Sequence, residues 1–173
     1  VTDIGGWLNA WHVDGTTVAG FPKSGQGSWT RSTTAFGNID GDLDYEIFQA
    51  TSTGRLNGYQ GNGAALPGFP KLGMTSILSS PAVGDIDDDG FPEIIVAAEN
   101  DSIYAFNHTG TRVPGWPKRL VNNIDTTIKA PSPALADITG DGVPEILAIS
   151  VHDSHHTELG WLDVGANWLP GWP

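Results

Sequence analysis

Three short stretches carry oxygen side chains at a spacing that can encircle a metal ion. The densest is GDIDDDGFPEI at 84–94, with Asp85, Asp87, Asp88 and Asp89 inside five positions. GNIDGDLDYEI at 37–47 and ADITGDGVPEI at 136–146 repeat the pattern. Of the 20 acidic residues, 12 fall in these three stretches, so the acidity is local and not a general surface coat. Numbered from its first oxygen-bearing residue, loop A carries Asn38, Asp40, Asp42, Asp44 and Glu46 at positions 1, 3, 5, 7 and 9. Loop B carries Asp85, Asp87, Asp89, Phe91 and Glu93, and loop C carries Asp137, Thr139, Asp141, Val143 and Glu145. Alternation sends positions 1, 3 and 5 toward a common point, position 7 offers a backbone carbonyl, and position 9 a carboxylate. Gly90 and Gly142 at position 6 permit the sharp turn this needs. With all ligands oxygen and none sulfur or imidazole, up to three Ca²⁺ ions are favoured over zinc or copper. Mg²⁺ keeps its waters and seldom takes an all-protein cage. The plainer alternative is an acidic turn with no ion. It is strongest for loop A, where Leu43 replaces the glycine, and loop C, where Thr139 replaces a carboxylate. Without metal the carboxylates would raise one another's pKa and strain the chain between them.

The elements that position these loops recur. GFPK at 20–23, PGFPK at 67–71, PGWPK at 114–118 and PGWP at 170–173 place Pro22, Pro70, Pro117 and Pro173 at intervals of 48, 47 and 56. The acidic loops keep the same phase, and the longest interval holds an insertion at 151–158. Similarity at a fixed period of this length signals a repeat architecture. Each unit reads as four short strands. Unit three gives 79–86 into the loop, 93–99 out of it, 102–108, and an outer strand at 111–117 where proline is tolerated at an edge. Units two and four follow the same plan, and unit one survives only as its second half. No segment holds a helical period between the turn signals. Four-stranded antiparallel units at this spacing are propeller blades. The expected fold is all-β, a β-propeller segment with calcium loops between the first and second strands of each blade. The expected division is a partial blade at 1–25 and full blades at 26–72, 73–120 and 121–173. Ala35, Ala82 and Ala134 suit an innermost strand near a crowded axis. Phe21, Phe69, Trp116 and Trp172 of the proline phrase are expected between blades, with a sugar-stacking platform as the functional alternative.

DIDDDGFPE, set in SPAVGDIDDDGFPEIIVAAENDSIYAFNHTG, resembles the FG-GAP/VCBS-type repeat of integrin-α-like propellers. The resemblance implies a calcium-stabilised propeller, usually of seven blades, on secreted or cell-surface proteins. Such propellers serve adhesion, carbohydrate binding, or scaffolding beside a catalytic domain. Asn38, Leu43 and Thr139 depart from the pattern and bear on affinity more than on architecture. Three and a half units do not close a ring of that size, so further blades from a parent chain or from other copies are expected.

Composition narrows the function. A net charge of −12 with no basic stripe argues against a nucleic-acid partner. The absence of cysteine excludes disulfides and thiolate chemistry, and no apolar run reaches the length of a membrane span. No nucleophile elbow, phosphate loop or zinc-protease helix is present. Carboxylates committed to calcium are poor proton shuttles, so no enzymatic activity is expected. His152, His155 and His156 with Asp153 and Glu158 match no metal-ligand spacing and read as an exposed hairpin tip. His12 and His108 occupy matching places after the third strand and read as structural. The reading is a non-catalytic, extracellular or cell-surface interaction module with a protein or glycan ligand. A lectin-like propeller using Trp29, Trp161 and Trp168, or an accessory domain of a secreted hydrolase or lyase, are its rivals.

Overall fold

A computed structural model of the chain describes residues 1–25, 28–120, 131–151 and 157–172. Three antiparallel sheets are built from ten strands, and no helix occurs among the described residues. The first sheet orders β1 (Ala35–Gly37), β2 (Glu46–Ala50) and β3 (Leu56–Tyr59). The second orders β4 (Ala82–Gly84), β5 (Glu93–Ala98), β6 (Ser102–Phe106) and β7 (Lys118–Arg119). The third orders β8 (Ala134–Ala136), β9 (Glu145–Val151) and β10 (Thr157–Leu162). The insertion expected at 151–158 starts on the last residue of β9 and ends on the first two of β10, and its histidines lie outside the described residues.

The continuous apolar run of β5 follows from burial on both faces. Ile94, Val96 and Ala98 enter one core with Phe48, Phe69 and Tyr104. Ile95 and Ala97, pointing the other way, enter a second core with Ile103, Trp116 and Ile146. The middle sheet is thus sandwiched between its neighbours, and a smaller cluster of Leu8, Phe21 and Ile47 joins the first sheet to the N-terminal unit. A polar contact crosses that same junction. Buried Gln49 donates from Nε2 to Gly6 O at 2.8 Å and accepts from Asn57 Nδ2 at 3.2 Å.

The outer strand departs from expectation. At 111–117 there is a single bridge, Phe106↔Arg112, and regular pairing resumes only at β7, where Lys118 and Arg119 face Ile103 and Ser102. The reason is the proline phrase itself. Val113 accepts the Trp116 N–H across a turn through Pro114 and Gly115, so the chain leaves the ladder and returns to it. The same two-point attachment recurs as Leu56↔Lys71 with Tyr59↔Ala65, and in the N-terminal unit as Leu8↔Lys23 with Trp11↔Thr17.

The detour serves packing. Gly20, Gly68 and Gly115 of this phrase have φ of 85, 81 and 92°. A β-carbon there would lie 2.4, 2.2 and 2.7 Å from the carbonyl oxygens of Asn62, Thr109 and Gly165 in the following unit. Only glycine allows that approach. The aromatics beside them, Phe21, Phe69 and Trp116, are 8, 9 and 6 % exposed, as expected for residues between units. Trp116 Nε1 also donates to Val164 O at 2.7 Å. Trp172, the last of the series, is 39 % exposed. The first strands β1, β4 and β8 stand side by side. Thr33 N–H donates to Ser80 Oγ, and Ser80 N–H donates to Ser132 Oγ.

Candidate metal centre

Strand pairing sets each acidic loop. Position 9 is the first residue of the second strand and faces the last residue of the first strand: Gly37↔Glu46, Gly84↔Glu93 and Ala136↔Glu145. The glutamate is therefore drawn into the sheet, and the three are 1, 0 and 6 % exposed. Each turns Oε2 back to accept the N–H of position 2, Ile39, Ile86 or Ile138, at 2.9, 3.0 and 2.9 Å. The carboxylate at position 5 accepts the N–H of position 7: Asp44 to Asp42, Phe91 to Asp89, and Val143 to Asp141. Position 1 accepts from the turn, through Asn38 with Gly41 at 2.8 Å and Asp85 with Gly90 at 2.9 Å. Asp137 accepts from Gly140, Asp141 and Gly142.

The ligand sets differ. In loop B, Asp85, Asp87 and Asp89 bring carboxylate oxygens within 4.8 Å of one another. Asp85 Oδ1, in this set, and Glu93 Oε1, at position 9 of the same loop, are buried and meet no hydrogen-bond donor. Burial pushes the Glu93 carboxyl up to about 7 against the Ile86 N–H that lowers it, and Asp87, Asp89 and Asp85 add to the rise. Burial, then the neighbouring Asp89, also raises Asp87. Three converging carboxylates, with one of their oxygens and one of the Glu93 oxygens buried without a donor, are what a hard divalent cation would satisfy. Loop B fits such an ion through Asp85, Asp87, Asp89 and Glu93.

In loop A the converging set is Asp40, Asp42 and Glu46. Burial raises Glu46, with Asp40 and Asp42 contributing. Asn38 turns its amide to the Asp42 carbonyl, and Asp44 is not in the converging set. Loop C has no three-carboxylate set among the described residues. Its Thr139 hydroxyl donates to Glu145 Oε1 at 3.2 Å, occupying an oxygen that is orphaned in loop B.

Position 4 was missed in the sequence. Gly41, Asp88 and Gly140 all take left-handed φ, at 78, 58 and 78°. Glycine at the same offset in loops A and C was the available signal, hidden by Asp88, a residue that tolerates this conformation better than most. Position 6 behaves as expected in loops B and C, where Gly90 and Gly142 have φ of 88 and 95°. His108 is more than a counterpart of His12. Its ring lies 4.7 Å from that of Phe91, placing it at the edge of loop B. Of the tryptophans considered for sugar stacking, Trp29 is 45 % exposed with the Arg31 guanidinium 5.5 Å from its ring. Trp161 and Trp168 are half-buried.

These sheets define a β-propeller segment, and solved propellers superpose on it. A crystal structure of BBS1N in complex with ARL6DN, soaked with lead, matches with a TM-score of 0.57 at 17 % identity, over 98 % of this chain and 48 % of that one. BamB from Moraxella catarrhalis matches with a TM-score of 0.57 at 16 % identity, over 95 % and 41 %. The chain thus spans less than half the length of either. The FG-GAP-like repeat family matches residues 85–148, the stretch holding loops B and C, with loop A outside the match. No curated protein sequence matches the chain. Among the described residues no helix is long and apolar enough to cross a membrane.

Proposed function

We propose that the chain is a calcium-stabilised, non-catalytic propeller segment that serves as an interaction module outside the cell. The observation that carries the calcium reading is the pair of orphaned buried oxygens in loop B, Asp85 Oδ1 and Glu93 Oε1, together with its converging carboxylates. The ion would be held by these groups and would offset the repulsion among them. The same commitment supports a binding role over a catalytic one, because metal-bound carboxylates do not shuttle protons. A protein partner is in keeping with the fold, which in BBS1N accompanies ARL6DN. Further blades would cover the two open ends, where Phe36 is 55 % and Trp172 39 % exposed.

The test is thermal unfolding with calcium and with excess chelator. Each site filled at a hundredfold above its Kd adds about 2.7 kcal/mol to the folded state, so chelation lowers the Tm by several degrees. A melt that chelator leaves unchanged removes the calcium reading.

A further inference from the structure

We infer that loops A and B are coupled to each other through Phe91, and that loops B and C are not. This rests on the calcium reading above and adds a regulation that the repeat alone does not imply. Phe91 is position 7 of loop B. Its N–H is tied to Asp89 Oδ1 at 2.8 Å, so its backbone is held by a member of the loop B carboxylate set. One side of its ring meets His108, with centroids 4.7 Å apart and planes at 39°. Another side reaches the preceding blade, where a β-carbon on Gly41 would lie 3.5 Å from Phe91 Cε1. Gly41 is the left-handed turn residue of loop A, between Asp40 and Asp42, and its N–H donates to Asn38 Oδ1. One aromatic ring therefore spans from the backbone of loop B to the turn of loop A.

The consequence follows from ordering. The loop B carboxylates repel one another until a cation neutralises them, and Phe91 is held by that same loop. Calcium in loop B fixes the ring, the ring braces the Gly41 turn, and loop A then has less conformational freedom to lose when it binds. The coupling is reciprocal. At the next junction the corresponding residues are Val143 at position 7 and Val164 in place of His108. Each junction has a cleft, of about 240 Å³ beside Asp87 and Val164 and of about 250 Å³ beside Asp40 and His108, so the side chain at position 7, a ring in loop B and a shorter valine in loop C, sets the two junctions apart.

The experiment is a calcium titration of the ¹⁵N-labelled chain followed at the amides of Gly41, Gly90 and Gly142, one for each loop. In the Phe91→Val variant, which carries the residue loop C has at that position, the Gly41 midpoint is expected to weaken at least about fivefold. The Gly142 midpoint stays within about twofold, below the range of a functional coupling. A Gly41 midpoint unmoved by Phe91→Val, or a Gly142 midpoint that weakens as much as Gly41, overturns the coupling while leaving calcium binding intact. Three amides that do not respond to calcium in the unaltered chain remove the calcium reading and the coupling with it. Should Phe91→Val lose its dispersed amide spectrum, the Asp87→Asn, Asp89→Asn chain decides. With loop B disabled, the Gly41 midpoint weakens if the loops are coupled and stays in place if they are not.

Discussion

The two junctions that flank the middle sheet use the same repeat positions and are filled differently. Between the first and second sheets, Phe69 lies on Phe48 with centroids 5.5 Å apart, and at the rim Phe91, packed on His108, comes to the Gly41 turn of loop A. Between the second and third, Trp116 occupies the Phe69 position and ties its indole N–H to Val164 O, and at the rim Val143 and Val164 stand in the places of Phe91 and His108. The backbone frame is common to both, down to the carbonyl that meets Gly68 or Gly115. The difference teaches that the repeat dictates where each loop stands, whereas the side chains set on that frame differ from one junction to the next.

The largest test of this comparison is at the junction core. Trp116→Ala removes a buried aromatic and its hydrogen bond to Val164, and should cost about 3–5 kcal/mol in chemical denaturation. Trp172→Ala, at the same repeat position with its ring partly in water, should stay within about 1 kcal/mol of the unaltered chain. Equal losses would show that the junction does not derive its strength from this contact.

Next in size is the contrast between the loops. Asp87→Ala withdraws a carboxylate from the loop whose Asp85 and Glu93 oxygens lack a donor, and should abolish up to about 2.7 kcal/mol of calcium-dependent stabilisation. Thr139→Ala removes a hydroxyl already bonded to Glu145 and should change that stabilisation by much less. Equal effects by calorimetry would break the ranking of B over C.

A smaller effect sharpens the same point. Thr139→Asp restores a carboxylate at position 3 and frees Glu145 Oε1 from its hydroxyl partner. Affinity at loop C should rise by about tenfold, because ligand charge tunes sites of this kind. A titration in which the Gly142 amide keeps its midpoint would mean that loop C is limited by its geometry and not by its charge.

Much of the site was legible before the fold was known, because it is local. Alternation along an extended chain sends positions 1, 3 and 5 one way, and glycine at position 6 turns the chain, whatever surrounds it. The period itself sets Glu46, Glu93 and Glu145 at the start of an apolar strand, so their place in the loop could be read from spacing. The apolar character of 94–98 was likewise enough to indicate a strand buried on both faces. Other features belong to the tertiary structure. That 111–117 is a two-point attachment and not a strand depends on a turn pressed against the next unit. That Trp116 is buried and Trp172 is not depends on which units have a neighbour on that side. That Phe91 reaches loop A, and that Thr139 closes on Glu145 where loop B leaves an oxygen without a partner, are distances between residues of different turns and blades. Spacing along the chain determines which groups can face a common point. Only packing decides what else stands there, since that is set by the closest approach of surfaces the sequence does not place next to one another.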